Sequence, residues 1–168
     1  MNYSNELAKI LQKAGWFEGR KIAINEYLSW YRRYGFSPST IITSTLEEFG
    51  DLTFRIPFLK EITHGREREQ AYWEFYISPL YFIDDTFSKC DIEDSICYVR
   101  TANQFLSLSL VPLARATDFD DLSYDIFMAD TGEIVGAYEG TCGVLGHDFF
   151  SALNTLMTEN NISFHDFL

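Results

Sequence analysis

Three histidines and three runs of carboxylates are the residues of this chain whose types and spacing could do chemistry. Nucleophilic catalysis needs a base within hydrogen-bond reach of its nucleophile and a third group to orient that base. His147 beside Asp148 is the pair closest to that pattern, and it stands at the expected start of a helix, where a cap-adjacent side chain is the plainer reading. His64 falls in a charged connector and His165 in the tail, both expected to be solvated. No G-x-S-x-G elbow, H-E-x-x-H pair, G-x-G-x-x-G turn or Walker loop occurs. Asp84-Asp85, Asp91-x-Glu93-Asp94 and Asp118-x-Asp120-Asp121 offer the oxygen ligands that calcium or magnesium takes. None has the spaced D-x-D-x-D-G loop with a closing glutamate, and unspaced acids repel one another and favour a solvated surface. The expectation is therefore no catalytic residue, no metal and no cofactor.

The distribution of charge is more informative than its total of −12. Residues 1–81 hold 10 acids and 10 bases, whereas residues 82–148 hold 13 acids against Lys89, Arg100 and Arg115, a net −10. Such a field repels nucleic acid and anionic membrane surfaces and attracts basic partners. Arg32-Arg33 among tyrosines is the one basic-aromatic mixture, too little to suggest nucleic-acid binding. Cys90, Cys97 and Cys142 form an odd set without a C-x-x-C pair, which suits reduced thiols in the cytoplasm. The start, MNYSNE, lacks the basic-then-apolar order of a signal peptide. With 46% apolar residues the chain is expected to fold as one domain over 1–168.

The elements that must position these side chains follow from periodicity. Leu7, Ile10, Leu11 and Ala14 share one helical face, and Gly15 is placed to stop that helix. Trp16 and Phe17 add apolar area, Gly19 permits a turn and Arg20 brings a five-donor fork, so the loop is expected to be pinned under its own helix by Trp16. A second helix is expected from an Asn25 cap to Gly35, with Tyr27, Leu28, Tyr31 and Tyr34 on one face. A third starts at Ser37-Pro38 and ends at Gly50. Leu52, Phe54, Ile56 and Phe58 then alternate as a strand with Pro57 at an edge, and Trp73, Phe75 and Ile77 form its hairpin mate. Asp91 is read as the cap of a helix through Ile92, Ile96, Val99 and Asn103. Leu108 to Pro112 suggest a strand. Tyr124, Ile126 and Met128 lead through the Asp130-Thr131-Gly132 turn into Ile134, Gly136 and Tyr138, the clearest hairpin in the chain. A short strand over Cys142 to Leu145 precedes Gly146 and a last helix capped by Asp148. Ile162, Phe164 and Phe167 of the tail are apolar enough to pack back on the body. The fold class is α+β: N-terminal helices, an antiparallel sheet of about five to six strands, and a closing C-terminal helix.

AGW-x-x-GR after an amphipathic N-terminal helix resembles the start of the third family of SUKH-domain proteins, most of which are bacterial immunity proteins. Leu46 to Leu52, Val111-Pro112-Leu113, Asp130 to Val135 and Leu145 to Leu153 resemble, in order, that family's helix-to-strand junction, central strand, hairpin and start of its last helix. Gly15, Trp16, Gly19, Arg20, Gly50, Gly132 and Gly146 are the structural residues of this pattern. The family often has glycine where Asp51 and Ala114 stand, at what are expected to be loops or strand ends. The resemblance implies a non-catalytic protein that binds a cognate bacterial toxin, a nuclease with a basic groove being one such toxin. The alternative it leaves open is an intracellular regulatory binding module. On the immunity reading, Asp84, Asp85, Asp118, Asp120 and Asp121 are the candidate toxin contacts, with Tyr81 or Phe119 as an aromatic anchor. The oligomeric state is left open.

Overall fold

The computed structural model describes residues 5–57, 72–83, 86–118, 122–158 and 164–167. Helices α1 (Asn5–Lys13), α2 (Asn25–Tyr34) and α3 (Thr40–Phe49) come first, followed by β1 (Thr53–Pro57), β2 (Tyr72–Tyr76) and a 3-10 turn (Pro79–Tyr81). Next come α4 (Lys89–Leu106), β3 (Leu110–Thr117), β4 (Ser123–Ala129), β5 (Ile134–Tyr138), β6 (Thr141–Gly146), α5 (Phe149–Thr158) and β7 (His165–Asp166). All strands join one antiparallel sheet whose spatial order is the chain order, β1 to β7. Pro57 lies at the end of the outermost strand, a position where a residue without an amide donor is tolerated.

Among the described residues the sheet has seven strands rather than five or six. The extra one is β7, whose two exposed residues pair with Thr141 and Cys142. His-Asp carries no apolar alternation, so nothing in its side chains marks a strand. The next residue holds it: Phe167 donates its N–H to the Gly140 carbonyl and sets its ring 5.1 Å from Tyr98.

Three helix starts also differ from expectation. Asn25 is the first residue of α2, not its cap, and Ile24 precedes it without a side-chain cap bond. The α3 cap is Ser39, whose hydroxyl accepts from the Ile42 amide, rather than the Ser37-Pro38 pair. In α4 the cap is Ser88, and Asp91 is its partner three residues on: each side chain accepts from the other's backbone N–H, at 3.2 and 2.9 Å.

Both faces of the central strands are covered, so residues 110–114 of β3 are all buried. Successive side chains point to opposite faces. Met128 therefore meets α1, α3 and α5 in a shared groove with Leu7, Phe49 and Phe149, while Phe127 meets Phe82 and Tyr98 on the other side. The Tyr31 hydroxyl donates to the Pro112 carbonyl and the Trp30 indole to the Ile83 carbonyl, tying α2 to the same body. At Asp51, where the resembling family often has glycine, φ is +61°. The left-handed backbone favours glycine there, and this chain sets against its cost a hydrogen bond from the Tyr27 hydroxyl to the Asp51 carboxylate. Ala114 is not at a strand end; it lies inside β3, at the register shift that follows Pro112.

Candidate functional site

The Leu7–Arg20 signature is a structural joint, and its partner is the end of α3 more than its own helix. Trp16 stacks on Phe49 at 6.2 Å, meets Phe150 edge-on at 6.1 Å and donates from Nε1 to Glu48 at 3.0 Å. Arg20 donates to the backbone carbonyls of Glu48 (2.6 Å) and Gly50 (2.9 Å). Carbonyls in the last turn of a helix have no partner within it, and a cation suits that negative pole.

His147 and Asp148 do not form a catalytic pair. Asp148 caps α5, its carboxylate accepting from the Ser151 amide at 2.7 Å while the Ser151 hydroxyl accepts from the Asp148 amide at 3.0 Å. The carboxylate that would orient an imidazole is committed to the helix, and no hydrogen bond joins it to the exposed His147. Both residues line a groove of about 540 Å³ whose floor is Leu7, Phe49, Met128 and Phe149. Among the described residues, no group of three or more His, Cys, Asp or Glu could hold a metal ion. No described helix is long and apolar enough to cross a membrane.

Of the candidate toxin contacts, Asp84, Asp85, Phe119, Asp120 and Asp121 lie outside the described residues. Asp118 is half-buried and closes the β3–β4 turn, accepting from the Leu122 amide at 2.9 Å and donating its own N–H to the Leu122 carbonyl at 3.0 Å. Tyr81 is 49% exposed and stands 5.4 Å from Tyr76.

The structure adds acids that the sequence reading did not single out as contacts. Asp94 of α4, Asp125 of β4 and Glu139 of the β5–β6 turn line one cleft of about 370 Å³ together with Phe82, Tyr98 and Tyr138. The charge of Asp118 reaches the same end of the sheet, where it helps hold the Tyr124 and Tyr138 phenols above their ordinary value, behind burial for the first and the Glu139 hydrogen bond for the second. One signal was available: Asp125 interrupts an otherwise apolar run, Tyr124, Ile126, Phe127, in a strand that α4 covers.

Burial pushes the Asp125 carboxyl above the ordinary aspartate value of 3.8, against the pull of the Arg115 guanidinium 3.5 Å away. Asp91 goes the other way, held below 3.8 by the hydroxyl and amide of Ser88. The signs follow. Folded Asp125 binds its proton more tightly than the unfolded chain does, so its contribution is present below 3.8 and is lost as pH rises through the raised midpoint. The Asp91 contribution is present above 3.8 and is lost as pH falls through the lowered midpoint. Carbon-detected NMR titration should place Asp125 above 3.8 and Asp91 below it; the reverse order would overturn this account.

Neither a curated protein nor a solved structure matches the chain. The sequence model of the SUKH-3 immunity protein family matches residues 3–159, a span holding all five α-helices and six of the seven strands described above, and the chain belongs to that family.

Proposed function

We propose that this chain is a non-catalytic immunity protein, a single domain over residues 1–168 acting in the bacterial cytoplasm, that binds a cognate toxin through an acidic surface and so neutralises it. The carrying observation is where the acids of the −10 segment go. Asp94, Asp118, Asp125 and Glu139 come from a helix, a strand and two turns, and they gather at one end of the sheet. Asp84, Asp85, Asp120 and Asp121 belong to the same acidic segment, and Tyr81 and Phe119 are the proposed aromatic anchors. An array of carboxylates would stand in for the phosphates that the basic groove of a nuclease expects. Opposite charge also speeds encounter, which an antidote needs.

The test is charge reversal at Asp120 and Asp121, with Asp118 left in place because it holds the Leu122 amide. Association with the toxin at low salt should slow by about tenfold or more, and co-expressed cells should lose protection. Unchanged association together with full protection would overturn the acidic-surface reading.

A further inference from the structure

The α4 helix has 18 residues but is fully buried only at Val99 and Ala102, both in its second half. Its first two turns pack on the core only through the partly buried Ile92 and Ile96, and Asp94 and Ser95 border a gap beside them. The gap is the cleft of about 370 Å³, floored by Phe82, Asp125 and Ala137 and rimmed by Asp94 and Glu139. Among the described residues, no basic one lines it.

Asp125 is the deepest of the three acids, its side chain 29% exposed, and its charge is only partly answered. Arg115 approaches it from the neighbouring strand with one nitrogen, at 3.5 Å, whereas a guanidinium can offer a carboxylate two parallel bonds. The Arg115 Nε is buried without a hydrogen-bond partner, so the guanidinium does not offer Asp125 its full set of donors. Burial of the carboxyl raises its proton affinity, and the Arg115 guanidinium offsets this only in part.

From this geometry we infer that the cleft seats an arginine side chain of the toxin, its guanidinium among Asp94, Asp125 and Glu139 and its plane against the Tyr98 or Tyr138 ring. The inference rests on the immunity reading above and names the chemistry of the contact. A metal ion is a poor occupant, because these carboxylates do not converge closely enough to share one. A planar fork with five donors can bridge acids on three separate elements, and aromatic rings attract it further. A cleft of this size has room for a long side chain and the backbone that carries it.

The test begins without a toxin. The full chain is titrated with N-acetyl-arginine amide and, separately, with the neutral isostere N-acetyl-citrulline amide, and backbone amide shifts are followed by NMR. The arginine probe should move Ser95, Tyr98, Asp125 and Glu139, with the citrulline probe at least about tenfold weaker. Equal shifts from both probes, shifts only on other surfaces, or no shifts would overturn the cleft. A double variant, Asp94→Asn with Glu139→Gln, should weaken the arginine probe about tenfold; both residues are exposed, so the fold is not at stake. The same variant should weaken toxin binding by a similar factor. Wild-type toxin affinity in a variant that has lost the arginine probe would overturn the toxin contact and leave the immunity reading standing. Failure of the unaltered chain to neutralise any toxin would overturn that reading, whatever the probes show.

Discussion

Replacing Trp16 with alanine is expected to cost about 3–5 kcal/mol of folding stability, read as a lower urea midpoint at unchanged slope. Trp16 is 8% exposed and fills the angle between Phe49 and Phe150, so alanine leaves a cavity between α3 and α5. The substitution also removes the indole donor from Glu48, whose carboxylate lies beside a helix end already rich in negative potential. Against the usual 5–15 kcal/mol for a domain, that loss is a large share. The neighbouring Phe17, 60% exposed, is the control, and its replacement by alanine should move stability by no more than about 0.5 kcal/mol. Similar effects at the two positions would mean that the loop does not hold α3 in place.

The second large effect is expected at Gly146, the joint between β6 and α5. A Cβ there would lie 2.4 Å from the Ala152 amide nitrogen and 2.8 Å from the Ser151 carbonyl carbon, both backbone atoms. No rotamer relieves such a contact, so α5 must shift away from β6 and the Asp148–Ser151 cap opens with it. Gly146→Ala should destabilise by about 3 kcal/mol in thermal or urea unfolding. The exposed neighbour Val144, changed to alanine, should stay within about 0.5 kcal/mol. An unchanged Gly146→Ala protein would show that strand and helix do not meet as closely as described.

Where one physical signal dominates, the fold was legible in the sequence. Period-two spacing marked Phe54 and Ile56, Trp73 and Phe75, and Ile126 and Met128 as inward, and all are buried. The glycine stop after α1 was legible for the same reason, since Gly15 has φ +100°. The caps were harder, because several small polar residues stand near each helix start and which one caps is decided by the docked helix. Phe127 and Ala129 were hidden because α4 covers the second face of β4, which a one-sided alternation does not anticipate. The acidic character of residues 82–148 was plain from composition. The cleft was not. Asp94, Asp125 and Glu139 meet only when a helix, a strand and a turn are placed together, and no spacing along the chain records that. Asp118 read as a free surface acid, yet a turn needing a side-chain acceptor for its Leu122 amide had already engaged it.

The strand order has a consequence for biosynthesis. Each strand of the sheet pairs with the strand made just before it, so the ladders can form in chain order, with β2 waiting for α4 and β6 for α5 before the next strand arrives. The sheet can lengthen at the pace of translation, one ladder at a time. What must wait is the docking of the first helices on the last: Trp16 meets Phe150, and Phe49 meets Phe149, only once α5 has been synthesised. Until then the α1–α3 segment carries an uncovered aromatic surface. The final step in maturing this protein is therefore the closing of its two ends upon each other.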